Sequence, residues 1–276
     1  MKTLTKNFLL KELRSKTISL IDRLRNITHL YESEHKLASD NQKFWNKDYS
    51  NPIVAQEAHW KNNGKFEDQQ RWLNLGKEHF DLLSNYSSVI DFQLPVKQIV
   101  EWGCGGGANA VHFAPLTEKF IGIDITSESL AECNKQILEL GYNNFQPILI
   151  DATTPELVLN HKISEIDLFI CVYVFEQFPS PDYGLTVLNL ANKMLKNDGI
   201  AFIQIRYNDG RRKGMKSKRW GYKFHPYRMT TYSLEEFWKN SKEYGFEPLG
   251  IYLKPEQPLV VDHSYAYFFL KKKFVN

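Results

Sequence analysis

Cysteines and long apolar runs are scarce in this chain. Its 276 residues include three cysteines, Cys104, Cys133 and Cys171, which lack the paired spacing of a metal site or a disulfide framework. An odd number of scattered cysteines fits a reducing compartment, so we expect a cytoplasmic protein without a bound metal. Lys11 interrupts the apolar run at residues 8–10. We therefore expect neither a signal peptide nor a membrane span here.

The length allows one large domain with an appendage but not two full-sized enzyme domains. Leucine and isoleucine recur at helical spacing among charged residues over residues 7–38, which predicts amphipathic helices. Aromatic residues crowd residues 44–72. We therefore predict a helical cap with an aromatic lid segment over residues 1–90, followed by one α/β domain over residues 91–276.

Predicted strands and helices alternate regularly after residue 97. The strands are apolar throughout, a composition typical of parallel sheets that helices cover on both faces. The last two strands are joined by a connection too short for a crossover helix, so we expect them to pair antiparallel. The sequence predicts strands at residues 98–102, 119–124, 145–150, 166–173, 200–205, 247–253 and 265–271, and helices at residues 109–116, 127–140, 182–195 and after Ser233.

A glycine-rich turn follows the first predicted strand and opens a helix. Its glycines let the backbone approach a ligand, and the free amides of the following helix favour a carboxylate or phosphate. Asp124 ends the second strand, where its oxygens can accept hydrogen bonds from both ribose hydroxyls. The turn and this acid do not separate a methyltransferase from a dinucleotide enzyme, because Gly103, Gly105 and Ala108 also fit the G-x-G-x-x-G/A spacing.

Two observations count against a dinucleotide enzyme. Glu101, at the start of the turn, would repel a pyrophosphate but attract an ammonium group. A short-chain dehydrogenase would need a Tyr-x-x-x-Lys pair on a helix, and the only instance, Tyr267 and Lys271, falls in the last predicted strand. There the two side chains stand about 13 Å apart, too far for proton transfer. A nicotinamide-dependent oxidoreductase is therefore the weaker alternative.

The set of motifs resembles the class I S-adenosylmethionine-dependent methyltransferases of the small-molecule type. The resemblance spans residues 97–272, and Gln177 stands where the family's pattern has histidine. It implies a Rossmann-like fold, a doubly wound, mostly parallel seven-stranded sheet with an antiparallel last strand. The features that carry it are the E-x-G-x-G-x-G turn at Glu101, Asp124 after the second strand, Asp151 and Ala152 after the third, and residues 172–182 after the fourth.

The resemblance also implies roles for individual residues toward S-adenosylmethionine as cofactor. Glu101 would lie beside the ammonium of the methionyl group, and Asp124 would bind the ribose. The other implied contacts are Gly103, Cys104 and Gly105 along the methionyl backbone, Ile125 against the adenine, Asp151 and Ala152 at the adenine edge, Cys171 and Val172 below the sulfonium, and Tyr49 from the aromatic lid.

No motif identifies the methyl acceptor. Methyl transfer from a sulfonium requires mainly alignment, and a nearby base helps when the acceptor is a hydroxyl or a protonated amine. We predict Glu176 and His59 as candidates for that base, with His112 and His225 as further candidates.

The basic residues of the chain are concentrated in one segment. Residues 206–223 carry eight Lys or Arg against one acid, Asp209, although the net charge of the chain is only +3. The segment follows the fifth strand, at the edge of the sheet that faces substrate. We expect it to bind an anionic small-molecule acceptor or, as alternatives, to bind RNA or to form a solvated loop. No added RNA-binding module is visible, which favours O- or N-methylation of a small molecule.

Overall fold

The computed structural model describes residue 24 and residues 32–46, 69–208, 229–259 and 262–274. Within these residues seven strands form one sheet in the order β3-β2-β1-β4-β5-β7-β6. The first five strands of that order pair in parallel, whereas β7 runs antiparallel to both of its neighbours. The strands are β1 (Val96–Trp102), β2 (Thr117–Asp124), β3 (Phe145–Leu149), β4 (Ile166–Cys171), β5 (Leu195–Arg206), β6 (Phe246–Gln257) and β7 (Asp262–Lys272). The predicted fold, a mostly parallel seven-stranded sheet with an antiparallel last strand, is confirmed.

Helices cover both faces of the sheet because neighbouring strand residues point to opposite sides. Ile99 of β1 packs into one buried cluster together with side chains of α2, α3 and α4, whereas Val100 packs into the other with side chains of α1, α5 and α6. The helices are α1 (Glu34–Trp45), α2 (Gln69–Tyr86), α3 (Ala110–Phe113), α4 (Ser127–Glu139), α5 (Pro181–Met194) and α6 (Leu234–Glu243), with 3-10 turns at Ala114–Leu116, Pro155–His161 and Phe175–Gln177.

Two helix starts follow directly from local sequence. The Ser180 hydroxyl accepts a hydrogen bond from the Tyr183 amide at 3.0 Å, and Pro181 occupies the first turn of α5, where no amide hydrogen is needed. Ser233 likewise accepts from the Glu236 amide at 3.3 Å and begins α6. Both helices are thereby fixed at the ends that face the carboxyl edge of the sheet.

The order of the strands determines where a ligand can bind. The chain passes from β1 to β2 and β3 on one side and then returns to place β4 on the other side of β1. Such a reversal opens a crevice at the carboxyl ends of the strands. Glu101 lies in register with Gly122 of β2 and Ile170 of β4, and therefore at the mouth of this crevice.

The two helices described before β1 pack directly on the sheet. Ala38 of α1 belongs to the buried cluster on one face, and Trp72 and Leu75 of α2 belong to the cluster on the other. Neither helix has a hydrophobic core of its own within the described residues. The boundary near residue 90 between a helical cap and the α/β domain stays a prediction. In the same part of the chain, no helix combines the length and apolar composition needed to cross a bilayer.

Candidate functional site

The glycine-rich turn after β1 folds back against the end of β2. The amides of Gly103 and Cys104 both donate to the Ile123 carbonyl, at 2.7 and 3.2 Å. Gly103 has a φ of +74°, and a Cβ at this position would lie 2.4 Å from Cγ2 of Val174. A side chain would therefore be both strained and blocked by the segment that follows β4, which explains the glycine.

Asp124 connects this turn to the start of α4. Its Oδ2 accepts a hydrogen bond from the Gly105 amide at 3.0 Å, and its Oδ1 accepts from the amide and the hydroxyl of Thr126 at 2.9 and 3.1 Å. Burial raises the pKa of Asp124, and the hydrogen bond from Gly105 opposes that shift. The carboxylate holds the glycine turn in place, and its Oδ2 retains a second lone pair that can accept a further hydrogen bond.

Glu101, Asn109 and His79 form a buried row of hydrogen bonds. The Nδ2 of Asn109 donates to Oε1 of Glu101 at 2.6 Å, and its Oδ1 lies 2.7 Å from Nδ1 of His79. The Asn109 oxygen can only accept, so His79 carries its proton on Nδ1. On the far side, Nε2 of His79 lies 3.4 Å from the Tyr267 hydroxyl. The row links the end of β1 to α2 and β7.

Burial governs protonation in this row. It raises the pKa of Glu101 to about 8, and the charge of Asp124 adds to the rise while the Asn109 amide opposes it. Burial lowers the pKa of His79 to about 4, so its ring is neutral at physiological pH. The second carboxylate oxygen of Glu101, Oε2, has no hydrogen-bond partner among the described residues. This orphan acceptor lies at the crevice and is suited to a cationic group.

A cavity of about 210 Å³ occupies the crevice. Glu101, Asp124 and the glycine turn line one part of it, and apolar or aromatic side chains line most of the remainder. Within the described residues, no lysine or arginine lines the cavity. The apolar and aromatic lining includes Trp45, Trp72, Ile125, Ile150, Ala152, Val172, Tyr173, Phe178 and Tyr183.

Helix α1 crosses the mouth of this cavity. The Asn41 side chain donates to the Gln177 carbonyl at 2.6 Å, and Gln42 accepts from the Ala152 amide at 3.1 Å. One turn further on, the Asn46 side chain donates to the Ile125 carbonyl at 3.3 Å. The helix thus contacts the segments after β2, β3 and β4 and closes the cavity on one side.

Most residues that the sequence assigned to a cofactor lie together around the cavity. These are Glu101, Gly103, Cys104, Gly105, Asp124, Ile125, Ala152 and Val172. Two others lie elsewhere. Asp151 is exposed and bonds to its neighbour Thr153 at 2.7 Å. Cys171 is fully buried in the cluster on the opposite face of the sheet from Val172, because adjacent residues in a strand point to opposite sides.

The predicted bases are less close to the cavity. Glu176 is buried in the 3-10 turn Phe175–Gln177 and does not line the cavity, and its backbone carbonyl accepts from the Thr230 amide at 2.8 Å. His112 bonds to the Leu73 carbonyl at 3.1 Å and also lies away from it. Tyr49, His59 and His225 lie outside the described residues.

The structure describes only the first three residues of the basic segment 206–223. Arg206, which we expected to contribute to an anion-binding surface, is only 2% exposed. Its guanidinium bonds to the sulfur of Met229 and lies 5.7 Å from the ring centre of Tyr265. Arg206 is therefore part of the packed interior and not part of a basic surface. The reason is its position in β5, which is buried on both faces.

Sequence reasoning missed several residues that line the cavity, among them His79, Asn109 and Asn41. Asn109 directly follows the glycine turn, and its polar side chain at a helix start was a usable signal. The spacing of Trp72, Leu75 and His79 is helical and places them on one face of α2. The spacing does not show which part of the fold that helix face packs against.

Comparison with known proteins identifies a methyltransferase domain within the chain. Residues 99–199 match a family described as "Methyltransferase domain". The magnesium protoporphyrin IX methyltransferase of Synechocystis, solved with bound S-adenosylmethionine, superposes with a TM-score of 0.58 at 12% identity, covering 88% of this chain and 99% of that one. The chain therefore contains a methyltransferase domain, and its fold is similar to that of a methyltransferase solved with bound S-adenosylmethionine.

Two further known proteins are similar to this chain. The ubiquinone biosynthesis O-methyltransferase of Haemophilus ducreyi is 30% identical over 111 residues, which is 39% of this chain and 44% of the relative. The chain thus spans less than half the length of the curated relatives that head the comparison. An S-adenosylmethionine-dependent methyltransferase of Methanosarcina mazei superposes with a TM-score of 0.55 at 14% identity, covering 71% of this chain and 98% of that one.

Proposed function

We propose that the chain transfers a methyl group from S-adenosylmethionine to an oxygen or nitrogen atom of a small molecule. The observation that carries this proposal is the pair of carboxylates, Glu101 and Asp124, on either side of the glycine turn in one cavity. Glu101 presents an unpaired oxygen for an ammonium group, and Asp124 presents a lone pair for ribose hydroxyls. Among the described lining residues a pyrophosphate would meet two acids and no lysine or arginine, which disfavours a nicotinamide dinucleotide.

The residues of the cavity fit the proposed cofactor. Ile125, Ile150 and Ala152 offer an apolar surface for the adenine, next to the ribose-binding position of Asp124. When bound, the cofactor supplies a methyl group already activated by its positively charged sulfur. The task of the protein is then to hold the acceptor in line with that methyl group and to exclude water. Helix α1 and the aromatic walls contribute to the exclusion.

The walls also suggest the acceptor class. Trp45, Tyr173, Phe178 and Tyr183 line the cavity and would pack against an apolar or aromatic acceptor. The names of two comparison proteins refer to ubiquinone biosynthesis and to magnesium protoporphyrin IX, both of which concern small molecules. An anionic acceptor would depend on the basic residues between 209 and 223, which lie outside the described part of the chain.

Calorimetric titration tests the cofactor. We expect S-adenosylmethionine and S-adenosylhomocysteine to bind and a nicotinamide dinucleotide not to bind. Binding of the dinucleotide alone would overturn the proposal. Retention of S-adenosylhomocysteine through purification, detected by mass spectrometry, would support it independently.

Labelled methyl transfer tests the acceptor. The protein is incubated with S-adenosylmethionine that carries a labelled methyl group and with phenols, carboxylic acids, amines or bulk RNA. We expect label in a small molecule. Label in RNA alone, with binding that weakens steeply as salt increases, would favour the alternative acceptor.

The general base stays a prediction with two candidates. If Glu176 accepts the proton from a hydroxyl acceptor, Glu176→Gln lowers the rate by about 100-fold or more while cofactor binding is retained. An unchanged rate would leave His59, with His225 as a further candidate, and His59→Gln is the corresponding variant.

A further inference from the structure

The indole of Trp72 lines the cavity and has a hydrogen-bond donor that the described residues leave unused. Trp72 is 1% exposed and lines the cavity, and its Nε1–H has no hydrogen-bond partner among the described residues. A buried tryptophan normally finds such a partner, and a buried donor left unpaired destabilises the fold. The fold accepts this cost in a helix that contributes to the wall of the candidate cofactor site.

A close backbone contact places Trp72 there. A Cβ on Gly76 would lie only 1.7 Å from the Ala108 carbonyl oxygen, so α2 rests directly on the backbone that follows the glycine turn. Trp72 lies one helical turn before Gly76, and His79 lies almost one turn after it, on the same helix face. Because His79 bonds to Asn109 and Asn109 bonds to Glu101, this face of α2 is tied to the charged end of the cavity.

The unpaired atoms of the cavity are complementary to an amino acid group. Oε2 of Glu101 lacks a donor, while Nε1–H of Trp72 lacks an acceptor. The methionyl part of S-adenosylmethionine carries an ammonium and a carboxylate on the same carbon atom. With no lysine or arginine among the described lining residues, its carboxylate depends on neutral donors.

We propose that Trp72 Nε1–H donates a hydrogen bond to the methionyl carboxylate, while Glu101 Oε2 binds the neighbouring ammonium. This inference rests on the proposed use of S-adenosylmethionine. It makes α2, which precedes the glycine turn in sequence, a direct part of the cofactor site. It also explains why the donor has no partner among the residues that the structure describes.

The test combines one substitution with one change in the ligand. Trp72→Phe removes the N–H and keeps an aromatic ring. Calorimetry compares the binding of S-adenosylmethionine with that of decarboxylated S-adenosylmethionine, which keeps the ammonium but lacks the carboxylate. We expect Trp72→Phe to raise the dissociation constant for S-adenosylmethionine by about tenfold, as for the loss of a hydrogen bond to a charged group. The dissociation constant for the decarboxylated ligand should stay within about twofold of the wild-type value.

Equal weakening of both ligands would assign Trp72 to packing, and no weakening of either would place the carboxylate elsewhere, so either outcome overturns the inference. If the wild-type protein binds neither ligand, the proposed function fails as well. Trp238→Phe on α6, which packs away from the cavity, is the matched control and should change neither affinity.

The wild-type protein offers a second measurement that does not depend on the folding of a variant. The indole signal of Trp72 is identified in a ¹H–¹⁵N spectrum by sequential assignment. It should move downfield when S-adenosylmethionine binds. It should move less with the decarboxylated ligand. The same shift with both ligands would overturn the inference.

Discussion

Asn109 donates a hydrogen bond to Glu101 at 2.6 Å while its oxygen accepts one from His79. The amide of Asn109 can satisfy both neighbours in only one orientation, because its nitrogen donates and its oxygen accepts. The neutral His79 ring therefore fixes the amide, and the amide fixes the carboxylate. The position of the Glu101 carboxylate at the crevice thus depends on a histidine in a helix that precedes β1.

Removing the His79 donor should weaken cofactor binding without abolishing it. In His79→Leu the Asn109 amide is free to rotate, and Glu101 loses a hydrogen bond that favours its ionised form. We expect the dissociation constant for S-adenosylhomocysteine to rise about three- to tenfold, consistent with one lost hydrogen bond. His79→Gln, which keeps a donor, should lose less.

The matched control for His79→Leu is His112→Leu. His112 is half-buried and bonds to the Leu73 carbonyl, outside the cavity. We expect this variant to lower thermal stability and to bind the cofactor as the wild type does. If His79→Leu binds the cofactor with wild-type affinity, the histidine does not position Glu101.

Cofactor binding should release a proton below neutral pH. The pKa of Glu101 is raised to about 8 by burial, so the side chain is protonated at pH 6.5 in the ligand-free protein. The methionyl amino group, with an ordinary pKa of about 8, is already charged at that pH. Its positive charge stabilises the carboxylate, so Glu101 loses its proton on binding and the affinity rises as the pH increases from 6 toward 7.5.

Calorimetry in buffers of different ionisation enthalpy measures this proton directly. At pH 6.5 we expect the observed heat to depend on the buffer with a slope near one released proton. Glu101→Gln should bind more weakly, and its heat should not depend on the buffer. A wild-type heat that is the same in all buffers would show that Glu101 does not change its protonation.

Local sequence signals were sufficient for most of the fold. Apolar runs predicted the five parallel strands, and Ser233 with Glu236 predicted the start of α6, which the structure confirms. The helix predicted at residues 109–116 is instead a four-residue helix followed by a 3-10 turn that contains Pro115. The Asn109 side chain does not cap this helix, because its amide is already bonded to Glu101 and His79.

Site residues that lie close together in the sequence were predictable, whereas contacts between distant parts of the chain were not. Glu101, Gly103 and Asp124 belong to a short motif with recognisable spacing. The contact between Gly76 and Ala108 joins residues 32 positions apart, and no periodicity in the sequence reports such a contact. The prediction that neighbours Cys171 and Val172 both line the floor overlooked the alternation of side chains at a strand end.

Asp124 and Asp151 were both predicted to contact the cofactor, and their variants separate the two roles. Asp124→Ala removes acceptors for the ribose and for the Gly105 amide, so we expect cofactor binding to weaken by about 1.5–3 kcal/mol. Asp151 is exposed, and its side chain accepts hydrogen bonds from the amide and the hydroxyl of Thr153. Titration of Asp151→Ala with S-adenosylhomocysteine therefore tests the predicted adenine contact.

An effect of Asp151→Ala within about twofold would remove Asp151 from the site, since surface changes usually fall within about 0.5 kcal/mol. A loss as large as that of Asp124→Ala would support the predicted contact. Unchanged binding in Asp124→Ala would mean that the ribose lies elsewhere.

Gly76→Ala tests whether α2 must touch the glycine turn. Alanine would favour the helix by about 1 kcal/mol, but its Cβ would lie 1.7 Å from the Ala108 carbonyl oxygen, in the backbone that leads into α3. The helix must shift away, so we expect a net loss of about 1–3 kcal/mol in the free energy of unfolding and weaker cofactor binding. Gly250→Ala, whose Cβ would meet nothing nearer than 4.0 Å, is the control and should change neither. If Gly76→Ala is as stable as that control in urea denaturation, the contact does not position the helix.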